Sequence, residues 1–235
     1  MCNLKANKTL SEFKSYIEEI NKLEDKGSLV IFPSHPFLGL MSNYDIQFGS
    51  QDISVYPEGA FTGEAPAKQI KSTNASYSII GHSERREKFG EDEYLLSKKI
   101  KLALSNELKV VYCIGETKEE KERKKTYQIL EKQIAKIFNG LSEIEMRNII
   151  IAYEPIWAIG NGTPAREEEI DEISSFIKKI ILDYYDFEIE VLYGGSVNSN
   201  NISSLNKIKS IDGFLVGSAS LKPEEVAKML QVCNK

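Results

Sequence analysis

Short apolar runs rich in β-branched residues alternate along the chain with longer, charged segments of helical period. The apolar runs are Ser28–Phe32, Asp45–Gly49, Tyr77–Gly81, Lys109–Ile114, Asn148–Tyr153, Ile189–Tyr193 and Ile211–Val216. They are nearly continuously apolar rather than alternating, which is the pattern of strands covered on both faces and hence of a parallel sheet. Between them, Leu10–Leu23 places Phe13, Ile17, Ile20 and Leu23 three or four positions apart, one apolar stripe of a helix. Asp92–Leu104, Thr117–Phe138, Glu167–Tyr185 and Pro223–Val232 read the same way. Thr9 or Ser11 can cap the first of these helices. The triplet Glu167-Glu168-Glu169 sits at the positive end of another, and Pro223 stands where its missing N–H costs nothing. A further strand near Asn3–Lys5 brings the number to eight. Spread over 235 residues, that is about 29 residues per strand–helix unit, the length such a unit needs. The pattern predicts an α/β fold, a single-domain (β/α)8 barrel over residues 1–235, with an open doubly wound sheet as the alternative. No Pro/Gly/Ser-rich linker, composition break or low-complexity segment divides it.

Composition acts mainly by exclusion. Hydrophobic residues make up 41% and charged residues 28%, values of an ordinary globular chain rather than a disordered or collagen-like one. The formal net charge is −5, which argues against a nucleic-acid partner, since that would need a basic surface. No apolar stretch is long enough for a membrane span, and Met1-Cys2-Asn3-Leu4-Lys5 lacks the apolar core of a signal peptide. The cysteines are Cys2, Cys113 and Cys233, a sparse odd set that predicts no disulfide framework and no paired metal motif, and suggests a reducing cytoplasm. The charged run Lys118–Lys125 mixes signs and holds a favourable Glu120–Lys124 i,i+4 pair, so it reads as a solvated helix face.

In a parallel barrel the residues that follow the strands share one rim, and that rim carries the chemistry. Asn3 and Lys5 follow the first strand, His82 the run ending at Gly81, and Glu154 the run ending at Tyr153. Gly194-Gly195-Ser196 and Gly217-Ser218 follow the last two. Each alone has a plain reading. A lysine after a strand is usually solvated, a histidine there more often caps a helix than catalyses, a glutamate before proline is a turn residue, and the glycine pairs are turns. Together they make a specific set. A carboxylate, an imidazole and an ammonium suit proton abstraction beside a carbonyl, and backbone N–H nests after the last two strands suit a phosphate dianion. The residues alone therefore point to proton transfer on a small phosphosugar.

The same segments resemble triosephosphate isomerases over essentially the whole length. The matching stretches are Asn3-Leu4-Lys5-Ala6-Asn7, Gly59-Ala60-Phe61-Thr62-Gly63-Glu64, Gly81-His82-Ser83-Glu84-Arg85-Arg86, Cys113-Ile114-Gly115-Glu116, Ala152 to Gly160 (AYEPIWAIG), Tyr193-Gly194-Gly195-Ser196 and Asp212 to Gly217 (DGFLVG). The resemblance implies that Glu154 is the base moving a proton between C1 and C2 of dihydroxyacetone phosphate and glyceraldehyde 3-phosphate through a cis-enediolate. It implies that His82 is the electrophile, this family being itself a standard illustration of a histidine held neutral for that task. Lys5 and Asn3 would face the substrate oxygen. Gly160, Ser196, Gly217 and Ser218 would offer N–H groups to the phosphate. Glu84 would pair with Lys5 in the empty site, and Cys113 would pack behind Glu154. Pro155–Ala165 would form a lid. No metal or organic cofactor is implied. Gly59–Glu64 would project into a second copy of the chain, with Thr62 approaching the partner's site, so a two-fold homodimer is expected.

The chain also departs from the family pattern. Few residues precede Asn3, so the first strand should be short and the barrel weakly closed there. Ser218 stands where a glycine is usual, which costs energy if that position needs φ > 0. Asn161 replaces a threonine in the lid, and Pro164 lies in its C-terminal hinge, where a fixed φ should alter lid kinetics. Asp52 replaces an asparagine ahead of the dimer loop, which would make dimer strength pH-dependent. An isomerase of another small phosphosugar and a non-catalytic binding paralogue are the alternatives.

Overall fold

The computed structural model describes residues 1–159 and 164–234. Its strands are β1 (Cys2–Asn3), β2 (Val30–Phe32), β3 (Gln47–Ser50), β4 (Tyr77–Ile80), β5 (Lys109–Ile114), β6 (Ile149–Tyr153), β7 (Val191–Tyr193) and β8 (Gly213–Phe214). All pair in parallel and in sequence order, β1 to β8. A parallel bridge from Cys2 to Val216 joins the two ends, so the sheet closes on itself as the barrel that the alternation predicts. The open-sheet alternative is excluded by that bridge. Across the seam Asn3 N donates to Val216 O (2.8 Å), Val216 N to Met1 O (2.9 Å), and the Met1 nitrogen to Phe214 O (2.8 Å). The first strand is as short as the sequence suggests and lies one residue earlier than expected. Lys5 is not part of it, because Lys5 adopts a left-handed φ of 51° that ends extended backbone.

The helices that cover this barrel are α1 (Leu10–Asn21), α2 (Leu38–Met41), α3 (Ala67–Ser72), α4 (Ser83–Phe89), α5 (Glu93–Ser105) and α6 (Lys118–Glu122). They continue with α7 (Thr126–Phe138), α8 (Glu143–Met146), α9 (Glu167–Tyr185), α10 (Ile202–Leu205) and α11 (Pro223–Cys233). Thr9 caps α1 in a reciprocal box with Glu12. The single helix expected over Thr117–Phe138 is two. Lys124 takes φ 56° and breaks it, and the Glu120 carboxylate turns back to the Thr117 N–H (2.8 Å) instead of meeting Lys124. The pairs formed from that charged run are Glu119–Arg123, Lys118–Glu122 and, across to α9, Lys121–Glu169. α3 and α4 are too short for a periodic signal to reveal.

Strand side chains divide into two cores, as the two-residue period requires. Val30, Phe32, Ile79, Val111, Cys113, Ile150, Ala152, Leu192 and Leu215 fill the barrel interior. Their neighbours, such as Ile31, Ile80, Val110, Tyr112, Ile151, Val191 and Tyr193, pack outward against the helices. Gly49 is needed inside, since a Cβ there would lie 2.6 Å from the Phe32 ring and 2.4 Å from Tyr77 O.

A buried ionic cluster ties the loop after β3 to α4 and α5. Lys99 Nζ meets Asp52 Oδ2 and Glu91 Oε1, each at 2.6 Å, and Arg85 Nε meets the same two oxygens at 2.8 and 2.7 Å. Burial raises the Asp52 carboxyl above its usual range. Lys99 opposes the shift, Glu91 adds to it, and Arg85 opposes it more weakly. A carboxyl raised on folding holds its proton more tightly in the folded state. Its contribution to stability is therefore fullest at low pH and is lost as pH rises through the folded pKa. Asp52→Asn, which cannot ionise, should gain melting temperature relative to wild type between about pH 4 and about pH 7; a difference that stays constant over that range would refute the assignment.

Candidate active site

The site lies at the C-terminal ends of the strands, in a cavity of about 420 Å³. Asn3, Lys5, His82, Glu154, Ser196, Gly217 and Ser218, all singled out from the sequence, line it together. Gly160 and Asn161 lie outside the described residues. Thr62 is exposed in the loop after β3 and does not reach this cavity within one chain.

Glu154 follows β6 and is 2% exposed. A carboxylate so placed needs donors. Its Oε2 accepts from the backbone N–H of Ser83 (2.9 Å), the first residue of α4, and its Oε1 faces His82 Nε2 at 3.3 Å. The parallel register makes this possible. Glu154 N donates to Ile114 O (2.7 Å), which carries the β5–β6 pairing one step past the strand end. Two glycines open the space. A Cβ on Gly115 would come within 1.8 Å of Glu154 O, and one on Gly194 within 2.9 Å of Glu154 Cγ.

His82 is the N-cap of α4. Its Nδ1 accepts from Glu84 N (3.2 Å), so that nitrogen carries no proton and Nε2 bears the ring hydrogen, directed into the cavity beside Glu154. The local sequence thus fixes an imidazole that can donate a hydrogen bond from Nε2.

Lys5 enters from the seam of the barrel. Its strained φ is held from several sides. Lys5 N donates to Asn3 Oδ1 (3.0 Å), while Lys5 O accepts from Ser34 Oγ and from Gln51 Nε2, both at 2.9 Å. The ammonium pairs with Glu84 Oε1 at 2.7 Å. Desolvation acts to raise the Glu84 carboxyl. The hydrogen bond and charge of Lys5 outweigh it, and the group lies below its usual range. Cys113 is fully buried under the base. Burial first, and the neighbouring Glu154 charge second, push its thiol well above normal, so it is a packing group and not a nucleophile.

A further part of the cavity wall is built from the loops after β7 and β8. Gly195 is forced by Tyr193, whose hydroxyl would lie 2.2 Å from an added Cβ. Ser218 opens a short 3₁₀ turn, Ser218–Leu221, and is not among the residues with positive φ. Serine therefore costs nothing in backbone strain there, and the concern raised by the missing glycine is removed.

The chain beyond Glu154 is latched at both ends of its described part. Trp157 Nε1 donates to Glu116 Oε1 (2.8 Å), the Tyr153 hydroxyl lies 3.3 Å from both Glu116 oxygens, and Ile156 N donates to Glu116 O (3.2 Å). Burial raises the Glu116 carboxyl, against the lowering effect of the Trp157 bond. On the far side Ala165 N donates to the Tyr193 hydroxyl (3.1 Å). Glu116, Gln51, Ser83 and Arg86 are the residues that reasoning from the sequence missed as contributors. Three of them sit inside quoted motifs, and nothing in the sequence signals Gln51. Among the described residues no group of three or more His, Cys, Asp or Glu could hold a metal ion.

A family model described as triosephosphate isomerase matches residues 1–233. A triosephosphate isomerase of Dictyoglomus turgidum is 40% identical, with 94% of each chain covered. One of Dictyoglomus thermophilum is 41% identical over the same shares. One of Zygosaccharomyces bailii is 39% identical over 95% of this chain and 94% of its own. The site's own geometry is open to test through Gly115. Gly115→Ala forces the Glu154 backbone away, and a shift near 1 Å should lower kcat about 10²-fold with little change in KM. Unchanged turnover in steady-state kinetics would mean that the β5–β6 contact does not place the base.

Proposed function

The chain belongs to the triosephosphate isomerase family, and on that premise we propose that it interconverts dihydroxyacetone phosphate and D-glyceraldehyde 3-phosphate, with Glu154 as base and His82 as electrophile. The observation that carries the reading is the juxtaposition of a buried carboxylate and an Nε2-protonated imidazole at 3.3 Å, beside a lysine and the loops after β7 and β8 in one cavity. The reaction is a cofactor-independent aldose–ketose isomerisation. Glu154 takes the proton from the carbon next to the carbonyl, the C–H electrons form the enediolate double bond, and the carbonyl oxygen gains negative charge. His82 Nε2 donates a hydrogen bond to that oxygen, and Lys5 supplies positive charge beside it. A proton then moves from the hydroxyl oxygen on the neighbouring carbon to the charged oxygen, so that the negative charge passes to the other oxygen, and the return of the proton from Glu154 to the former carbonyl carbon leaves the new carbonyl with atoms and electrons balanced.

The pairings of Glu154 and Lys5 set what must move. Both Glu154 oxygens are engaged, one by Ser83 N–H, so the carboxylate has to leave that donor to reach a substrate carbon. The Lys5–Glu84 pair holds the ammonium in the cavity before any phosphate arrives. Asn3, 5% exposed, presents its amide at the same end. Ser196, Gly217 and Ser218 would direct N–H groups at the phosphate, and the lid segment carrying Gly160 would complete the enclosure and exclude water.

Assembly and location are part of the same proposal. The loop from Gly59 to Glu64 is exposed throughout, and Tyr56 and Phe61 stack on its flank with ring centroids 3.8 Å apart, themselves exposed. An ordered, partly apolar projection of this kind supports insertion into a second copy, giving a two-fold homodimer in which Thr62 approaches the partner's site. No helix among the described residues is long and apolar enough to cross a membrane, and a cytoplasmic enzyme is the reading we adopt.

Two outcomes follow. In a coupled assay from glyceraldehyde 3-phosphate, Glu154→Gln should lose at least ~10³-fold in kcat with a modest change in KM, as for a group that acts only in the transition state; a loss below about tenfold would assign the base elsewhere. In sedimentation equilibrium the wild type should weigh twice its 26.5 kDa, and Thr62→Glu should weaken the dimer and activity together. Full activity from a monomer would remove the dimer from the proposal.

A further inference from the structure

Arg86 is not a cavity residue, yet its side chain, 14% exposed, is largely covered where it bridges the two strands that carry the site. The β4–β5 ladder stops at the pair Ile80↔Tyr112. Beyond it Gly81 turns at φ 80° and β4 gives way to His82 and α4. The rungs that would have joined Gly81 to Cys113 are absent from the ladder, and Arg86 fills the gap. Its Nε donates to Gly81 O (2.8 Å) and its Nη2 to Cys113 O (3.1 Å). Nη2 also meets the Tyr112 hydroxyl (3.3 Å), and Nη1 meets Glu93 at the start of α5 (2.8 Å). Gly81 leaves little room for a side chain, because an added Cβ would lie 3.1 Å from both Arg86 Nη2 and Cys113 O and would sit at a left-handed φ of 80°.

We propose that Arg86 is a positioning residue that sets the separation of His82 and Glu154 by clamping the carbonyl ends of β4 and β5. The path is continuous. Gly81 directly precedes His82. Gly81 O and Cys113 O share the guanidinium, and Ile114, next after Cys113, accepts from Glu154 N at 2.7 Å. The His82 imidazole and the Ser83 N–H that docks Glu154 therefore hang from one side of the clamp, and Glu154 from the other. Arginine suits the task because its planar fork meets two carbonyls in fixed directions, which a lysine cannot do. Helical side chains lean toward the N-terminus, so a residue four places after the cap falls back over Gly81. The Glu93 pair closes the outer side of the fork and does not touch the carbonyls.

The inference rests on the roles given above to His82 and Glu154. Wild-type turnover, measured in the same assay, reports on those roles separately. The test uses the full chain with Arg86→Ala, Arg86→Lys and, as control, Glu93→Gln. Arg86→Ala should fall about 10²-fold in kcat with KM within about threefold, as for a displacement near 1 Å, and millimolar guanidinium should restore a measurable part of kcat. Arg86→Lys, which keeps the charge and reaches one carbonyl, should fold and show an intermediate loss. Glu93→Gln should keep its turnover even where its melting temperature drops. If the Ala variant does not fold, the Lys variant carries the same kcat-against-KM readout. Loss of melting temperature with unchanged kcat per folded molecule, or no response to guanidinium in a folded Ala variant, would reduce Arg86 to a structural ion pair and overturn the proposal.

Discussion

A carboxylate that is 2% exposed needs hydrogen-bond donors, and the hydrogen bond from Ser83 N to Glu154 supplies the nearest one. Much of the site can be derived from that single demand. The donor is the first backbone N–H of α4, so α4 must begin opposite the end of β6. For α4 to begin there, β4 must stop at Ile80 and turn at Gly81. Its cap must accept a hydrogen bond, which His82 does through Nδ1, and this leaves Nε2 carrying a proton toward the substrate. Glu84, in the first turn of the same helix, is then in place to hold Lys5. One short helix thus orients the base, the electrophile and the cation through its N-terminal turn.

The barrel was legible because its signal is redundant. Seven apolar runs alternating with helical segments specify parallel strands whatever the exact ends, and the rim residues follow from strand order. What stayed hidden has physical causes. Gly115 and Gly194 act through atoms they lack, and nothing in a sequence shows which backbone an absent Cβ would strike. Ser83 acts through its main chain, which every residue possesses. Gln51 serves Lys5 O from a different strand end, with no periodicity to mark it. The break at Lys124 was missed because the helical period continues across it, while a left-handed φ of 56° at Lys124 ends the first segment locally. The departure at Ser218 raised a concern in one dimension that the structure resolves in three, since the residue starts a turn at negative φ.

Charge is handled by layers rather than by the catalytic groups alone. Near the base the donors are a backbone N–H and a ring N–H, neither of which carries a formal charge. The formal cations stand further out. Lys5 is met by Glu84 at the rim, Arg86 by two carbonyls and Glu93, and Lys99 with Arg85 by Asp52 and Glu91. Removing one member of such a buried pair leaves the other uncompensated, which is costly out of proportion to what the pair contributes when whole. The clusters around α4 therefore act as constraints on geometry as much as sources of stability.

The seam of the barrel joins Cys2 and Asn3 to residues from Phe214 to Val216, the widest sequence separation that any strand pairing here spans. During synthesis on the ribosome the first strand emerges long before its second neighbour exists. It must wait, paired on one side to β2 and open on the other, while the remaining units add themselves in order. A loop of this length makes the last closure entropically slow. Until it happens, the main-chain groups of β1 present an uncovered edge of the kind that recruits other strands. Because Lys5 follows directly on that edge, the cation of the site is among the last groups to be set, and a nascent or seam-opened chain would hold Glu154 and His82 in order while lacking the charge that completes them.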